Sequence, residues 1–427
     1  MPDVRIALPE LHAGQLNIFN GRGRLNAVDC GRRFGKTKFL IWLACRRAIH
    51  GGKFGIFAPE YKQLLEPWSE IRDTLSPIVS SSNKNEGIIR TITGGQIDFW
   101  PLIDNELAGR GREYDEIACD EVAFAKDGQM TQIWERSIKP TLLTTRGSAW
   151  MFSTPNGVKQ DNFFWQICNE PTDDWVFHYA PTRANPYVPL DELEKEKKIN
   201  HELVWLQEFE AKFISWDSAT FFKLDYILQD GAGVPYPTKC DGVYAVMDCA
   251  VKSGTNNDAT AVVYFAYSRY HGIPLTILDY EMHSIDASML EHLSPAILAR
   301  CEHFAKELNA REGSLGILAE DAAGGTFLLQ RAYAEGWPIH PISSALMMKG
   351  KDERAIIAGG PACQGLCKIS QYAYDKVMDW KGRTANHLIQ QITTFRLGDK
   401  DAARRADDLL DCFCYGIAVA LSDYRSM

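Results

Sequence analysis

The stretch GRRFGKTK, Gly31 to Lys38, holds a glycine, a lysine and a hydroxyl at the spacing that handles phosphate. In the pattern G-x-x-x-x-G-K-[ST] backbone N–H groups cradle the phosphates, the lysine meets the β/γ-phosphates and the hydroxyl reaches Mg2+. Gly35, Lys36 and Thr37 fit. The place of the first glycine is taken by Cys30, with Gly31 one position late and Arg32 and Arg33 inside the loop. Downstream, EIACDE is an apolar run that ends in Asp120 and Glu121. An Asp at such a strand end holds Mg2+ through water, and the adjacent Glu orients and deprotonates a water for attack on a γ-phosphate. Phosphoryl transfer is helped by positioned positive charge. Arg32 or Arg33 would supply it from within the loop, whereas Arg110 and Arg112, in LAGRGREYDEI ahead of the Asp120 strand, are placed to offer it to a neighbouring subunit. The competing reading is that these arginines pair with local acids.

The second half carries a different set. Asp248 nearly ends the run GVYAVMDCAV, Asp258 opens the next run in GTNNDATAVVY, and Glu320 and Asp321 end LGILAED. ARRADDLLDCFCYGIAVA then places Asp407, Asp408 and Asp411 at the start of the last helical pattern, with 408 and 411 on one face. Two divalent ions about 4 Å apart need carboxylates converging from several elements, and Mg2+ or Mn2+ requires no His or Cys. Singly each acid is a capping or solvated group; together they predict a metal site. Lys351 and Arg354, in KGKDERAI, are candidates for DNA phosphate or for a solvated loop. Cys363 and Cys367 have no second pair to complete a zinc site.

These residues require a scaffold that brings strand ends together. In the first half, short apolar runs alternate with helical patterns, as in βαβ units on a mostly parallel sheet. LNAVDC reads as a strand entering the loop, TKFLIWLACRRAIH as the helix leaving it, FGIFAP, EIACDE and SAWMFSTPNG as further strands, and IIRTITGGQIDFWPL as a hairpin turning at Gly94 and Gly95. Ligands bind at the C-terminal ends of such strands. DELEKEKKINHELVWLQEFEAKF reads as one charged, solvated helix, and GAGVPYPTKC as part of a linker. The second half reads βββαβαβα, the order of a ribonuclease H-like fold. The expected organisation is therefore α/β throughout: a P-loop ATPase domain over 1–215, a linker over 216–237 and a ribonuclease H-like nuclease domain over 238–427.

The set GRRFGKT, EIACDE and FSTPNG, spaced as here, resembles the large terminase subunit of tailed bacteriophages, the motor that pumps DNA into capsids. Loops of that family carry Arg where Arg32 stands and tolerate a missing first glycine. STPNG, Ser153 to Gly157, resembles its coupling motif, TRANPYVP, Thr182 to Pro189, a segment that follows it, and Gln15 stands where the family often has an adenine-reading glutamine. Carried over residue by residue, the resemblance implies metal ligands at Asp248, Glu320 and Asp408, with Asp407 or Asp411 as neighbours. It further implies ATP and Mg2+ as cofactors, with Mn2+ possible in the nuclease site. The implied partners are double-stranded DNA, a portal protein, a small terminase subunit and further copies in a pentameric ring, all in the cytoplasm of an infected bacterial host.

Composition fits that expectation. At 427 residues the chain is too long for one ordinary core. A net charge of −9 argues against a basic coat, though not against a local basic groove, since metal-holding carboxylates count against the total. The longest apolar runs, FLIWLAC and IAVAL, fall far short of the roughly 20 residues of a membrane span, and MPDVRIALPELHAG has no secretion pattern. Eleven cysteines without a regular framework suit a reducing compartment. The alternatives are a helicase-like NTPase with a binding-only second domain and, more remotely, a resolvase-like nuclease.

Overall fold

Every residue of LNAVDC is buried, as a strand covered on both faces must be. In a computed structural model, which describes residues 5–103, 106–126, 128–170, 174–215, 220–249, 260–285, 289–321, 324–398 and 407–422, that strand lies inside a large sheet. The chain divides into two compact units, Met1–Glu196 with Leu203–Ser215, and Lys197–Glu202 with Trp216–Met427.

The first unit holds β1 (Leu25–Cys30), β2 (Lys53–Ala58), β3 (Val79–Asn83), β4 (Ile88–Thr91), β5 (Gln96–Pro101), β6 (Glu116–Cys119), β7 (Ser148–Ser153) and β8 (Trp175–Ala180), in the order β3-β4-β5-β2-β6-β7-β1-β8. From β5 to β8 all pairings are parallel. β4 and β5 form the antiparallel hairpin expected around Gly94, whose φ of 88° lies in the left-handed region that glycine enters freely. Adjacent residues serve opposite faces. Val28, Ile56 and Trp150 join the core on one side with Phe39 and Leu43, while Ala27, Phe57 and Met151 join the other with Ile117 and Trp134. Because β7 lies between β1 and β6, the ends of all three meet at one edge.

Helices α1 (Ala13–Asn20), α2 (Lys36–Ile49), α3 (Tyr61–Thr74), α4 (Gln129–Ile133), α5 (Phe163–Asn169), α6 (Leu190–Ile199) and α7 (Glu202–Glu208) complete this half. The charged stretch is thus two helices rather than one. α6 is mostly exposed, but α7 buries Trp205 and Gln207, which corrects the expectation of a uniformly solvated face.

In the second unit, α8 (Leu224–Ile227) precedes β9 (Gly242–Asp248), β10 (Thr260–Tyr267), β11 (Leu275–His283), α9 (Leu290–Glu307), β12 (Ser314–Ala319), α10 (Gly324–Glu335), β13 (Ile339–Pro341), α11 (Ser344–Met347), α12 (Lys351–Cys363), β14 (Cys367–Ile369), α13 (Gln371–Asp375), the pair β15 (Met378–Trp380) and β16 (Arg383–Ala385), α14 (His387–Thr394) and α15 (Asp408–Leu421). The sheet order is β13-β12-β9-β10-β11-β14, with β9, β10 and β11 antiparallel and β12 parallel to β9. This is the ribonuclease H-like arrangement, extended by β14. α15 is buried along its length against β9 and β10, and only glycine fits at 416, where a Cβ would meet the Phe265 ring at 2.2 Å.

The expected linker needs correcting. Within 220–237, Phe221, Phe222, Ile227, Leu228 and Val234 are buried, because paired aromatics seek a core and find one against Phe395 and Phe413. Among the described residues no helix is long and apolar enough to cross a membrane.

Candidate functional site

β1 delivers the chain into the loop at Cys30, which is wholly buried; its Sγ donates to the Val28 and Ser153 carbonyls and its thiol is pushed up by burial. The missing first glycine is therefore a strand residue, and the need for glycine falls at Gly31, where a Cβ would meet Thr182 Oγ1 and the Phe209 carbonyl at 2.5 Å each. The loop turns at Arg33 (φ 63°) and Gly35 (φ 99°). Its backbone is strapped from outside: the Arg32 N–H donates to the Glu208 carbonyl (2.6 Å), Thr182 Oγ1 to the Arg32 carbonyl (2.7 Å) and Asn185 Nδ2 to the Arg33 carbonyl (2.8 Å). This gives the TRANPYVP segment a physical task. Lys36 and Thr37 then open α2, whose first N–H groups are those a helix leaves for an anion.

Lys36 is buried. Its Nζ donates to Thr154 Oγ1 at 2.6 Å and stands 3.3 Å from Glu121 Oε1. Burial lowers its pKa, but Cys30, Glu121 and Asp120 outweigh that and the net shift is upward, so it is a fixed cation. Thr37 Oγ1 donates to Asp120 Oδ2 (3.2 Å), and the Glu121 N–H to Asp120 Oδ1 (3.0 Å). Burial and the neighbouring Glu121 push Asp120 up to about 6. Glu121 sits at φ 50°, a conformation that turns its carboxylate toward Lys36 and Ser153. The structure thus brings Lys36, Thr37, Asp120, Glu121 and Thr154 together.

The remaining candidates divide. Gln15 is buried with its amide committed to the loop, Nε2 donating to the Gly35 carbonyl at 2.9 Å and Oε1 accepting from the His12 N–H. His12 Nε2 braces the Phe34 carbonyl (2.9 Å). Arg32 is 69% exposed, 3.9 Å from Glu208, and Arg33 is exposed as well, so both cationic side chains project from the loop. Arg110 is exposed, whereas Arg112 pairs with the buried Asp98 at 3.4 Å and does not stand free as a second finger. Individual roles for Thr154, Thr182, Asn185 and Gln207 were not singled out in the sequence; only their motifs were. Gln207 Oε1 accepts from the Gly157 N–H at 2.9 Å, joining α7 to the end of STPNG. Asp29, buried at the end of β1 with its carboxyl pushed up by burial, carried no sequence signal at all.

In the second unit, Asp248 ends β9, Glu320 follows β12, and Asp407, Asp408 and Asp411 sit at the start of α15. Burial pushes Asp248 well above the carboxylate range, and the charges of Asp411, Glu320 and Asp408 push it further. The acids from three elements therefore share one field. Asp258 lies outside the described residues. Lys351 pairs with Asp407 and, at 3.3 Å, with Asp411; Arg354 Nη2 donates to Asp411 at 2.9 Å and its guanidinium lies 4.7 Å from the Tyr415 ring centroid. Lys351 and Arg354, candidates for DNA phosphate or a solvated loop, are thus paired with these carboxylates. The Tyr415 hydroxyl donates to Glu320. As oxygen donors, Asp248, Glu320 and Asp408 suit Mg2+ or Mn2+, and their mutual repulsion is what a divalent cation relieves. Among the described residues no three ligating side chains already stand at metal-binding spacing, and Asp407 and Asp411 pair with Lys351 and Arg354.

No protein-family model matches the chain, and no curated protein matches it. Solved structures do. The large terminase of a thermophilic bacteriophage aligns over 97% of this chain and 100% of that chain, at 12% identity and a TM-score of 0.58. The same terminase in complex with ADP aligns over 96% and 100% at 11% identity and 0.55, and in complex with ATP-γ-S over 96% and 99% at 12% identity and 0.54. The chain has the fold of a large terminase, with a mostly parallel sheet in the first half and a ribonuclease H-like sheet order in the second.

Proposed function

We propose that this chain is a large terminase subunit: a motor that uses ATP hydrolysis to move double-stranded DNA into a procapsid, with an endonuclease that cuts the concatemer. The observation that carries the reading is Lys36, held between Thr154 of the coupling motif and Glu121 of the β6 end.

An entering γ-phosphate offers Lys36 a stronger acceptor than a neutral hydroxyl, so the ammonium leaves Thr154, and the end of β7 responds to the nucleotide. Glu121, released from Lys36, orients a water and takes its proton as the water oxygen bonds to the γ-phosphorus and the bond to the ADP oxygen breaks. Mg2+ bound through Thr37 and Asp120 would neutralise charge on the β- and γ-oxygens. Arg32, exposed at the loop, adds charge in cis, and Arg110 adds it in trans from the next subunit of a ring.

In the nuclease half, Asp248, Glu320 and Asp408 would hold Mg2+ or Mn2+, with Asp407 and Asp411 as neighbours; the ions would activate a water and stabilise the leaving oxygen. Tyr415 orients Glu320, and Lys351 with Arg354 balances the flanking acids. The partners in this reading are a portal protein, a small terminase subunit and further copies of the chain in a pentamer, in the infected host's cytoplasm.

The test combines plasmid nicking with Mn2+ but no ATP and ATP hydrolysis with and without DNA. Both activities are expected. DNA-stimulated hydrolysis without any nicking would replace this reading with a helicase-like NTPase whose second domain only binds.

A further inference from the structure

The two arginines ahead of β6 lie in one short loop and have opposite surroundings. Arg110 is flanked by Gly109 and Gly111, both in the left-handed region (φ 76° and 80°), and among the described residues its guanidinium has no hydrogen-bond or ion-pair partner. At Gly109 a Cβ would meet the Phe57 ring at 2.9 Å, so glycine is required there, while Gly111 has nothing within 4 Å and leaves the tip open on that side. A cation on such a tip is useful only if something fixes the tip.

Arg112 has the fixing contacts. Its Nε lies 3.4 Å from Asp98 Oδ2 and its guanidinium 5.9 Å from the Trp100 ring centroid. Asp98, on β5, is 1% exposed and accepts from the Tyr114 hydroxyl (2.8 Å) and Gln96 Nε2 (2.7 Å), and the Tyr114 oxygen accepts from Trp100 Nε1 (2.9 Å). Burial and Asp98 hold the Tyr114 phenol in its protonated, donating form. The Arg112 N–H closes the turn onto the Gly109 carbonyl at 3.1 Å.

We propose that Arg112, anchored on Asp98 and Trp100, which Tyr114 ties together, is a positioning residue that presents Arg110 to the nucleotide of a neighbouring subunit. The proposal rests on the trans role given to Arg110 above. Stability is a weak reason for the pair. Arg112 is 38% exposed and Asp98 already has two neutral donors. Geometry is a strong reason: a misplacement of about 1 Å costs on the order of 10²-fold in rate.

The experiment measures ATP hydrolysis by the full chain, unassembled and assembled on DNA, for wild type, Arg110→Ala, Arg112→Ala and Arg112→Lys. Arg112→Ala is expected to lower the assembled kcat by about 10²-fold with KM for ATP and the unassembled rate unchanged, short of the 10³ to 10⁵ of a lost finger. Arg112→Lys, which keeps the charge but not the planar guanidinium, recovers part of the rate. Mixing Arg112→Ala with Glu121→Gln subunits restores hydrolysis, whereas mixing it with Arg110→Ala subunits does not. An Arg110→Ala ring that hydrolyses normally removes the trans role, and the positioning role with it. A slow Arg110→Ala ring beside a normal Arg112→Ala ring overturns the positioning role alone. So does an Arg112→Ala protein that loses its unassembled rate or its ATP affinity, since that marks a fold residue.

Discussion

The two charged centres meet the cost of burial in opposite ways. Around the nucleotide loop, charges answer one another: Lys36 faces Glu121, Thr37 holds Asp120, and the loop backbone is strapped by Thr182, Asn185 and the Glu208 carbonyl. Around Asp248, like charges crowd, and Lys351, which with Arg354 pairs Asp407 and Asp411, offsets only part of that repulsion. The first centre is organised by its own contacts, which in the proposed mechanism it would give up to phosphate. In the proposed mechanism the second gains most from cations, which would relieve its crowding.

The largest effects come from breaking each centre alone. Glu121→Gln is expected to slow ATP hydrolysis by about 10²- to 10⁴-fold, the range of a positioned base, with Mn2+-dependent nicking unchanged. Asp248→Asn or Glu320→Gln is expected to abolish nicking with hydrolysis intact, because losing one carboxylate weakens both charge and geometry. Loss of both activities from either change, in a protein that still folds, would break the separation.

Stability should separate the centres as well. A carboxyl whose folded pKa is raised holds its proton longer in the folded than in the unfolded chain, so its contribution declines as pH rises through the folded pKa. At neutral pH an ionised Asp248 therefore costs stability, and Asp248→Asn is expected to raise the melting temperature while destroying activity, by about 2–4 °C per kcal/mol relieved. Glu121→Gln removes a partner of Lys36 and is expected to lower it. Thermal melts of the two variants at pH 7.5 (about a unit above any histidine's ordinary range) settle the sign. A lower melting temperature for Asp248→Asn would mean its charge is compensated.

A smaller effect follows from Asp120, raised to about 6 by burial and Glu121. Below that pH the carboxyl takes a proton and, in the proposed mechanism, would give up its share of the metal. Mg2+-dependent nucleotide affinity is expected to fall by up to about tenfold per pH unit below 6, and the slope should vanish in Asp120→Asn. Without nucleotide the sign reverses, and this site stabilises the fold more at pH 5 than at pH 7. Nucleotide titrations across that window would show an unchanged affinity if Asp120 were already ionised at pH 5.

Local pattern carried the strands and the loop, because burial on a sheet shows directly in short apolar runs: LNAVDC is β1, and GGQIDFWP turns the hairpin into β5. Partners distant in sequence did not show. Arg112 looked as free as Arg110 because Asp98 belongs to another strand, and the Phe221 and Phe222 pair looked like linker because Phe395 and Phe413 lie far along the chain. Lys351 and Arg354 read as surface basics until α12 and α15 came together. The acid clusters were legible as strand and helix ends, but their shared field depends on the sheet order β12-β9-β10 under α15.

The smallest expected effect concerns the residue that made the loop look imperfect. Cys30 is the last residue of β1, wholly buried and paired in register with Ala180, and the turns come later, at Arg33 and Gly35. Cys30→Gly, which restores the usual first glycine, is therefore expected to leave kcat for ATP near wild type and to cost roughly 1 kcal/mol through strand entropy and lost packing. Gly31→Ala is the sharper change: its Cβ would meet Thr182 Oγ1 and the Phe209 carbonyl at 2.5 Å, so Arg32 and its strap must shift and the rate should fall. Single-turnover hydrolysis with a parallel melt distinguishes the two. If Cys30→Gly accelerated hydrolysis while Gly31→Ala left it unchanged, residue 30 would be part of the phosphate loop after all, and the strap from Thr182 and Asn185 would not be what shapes it.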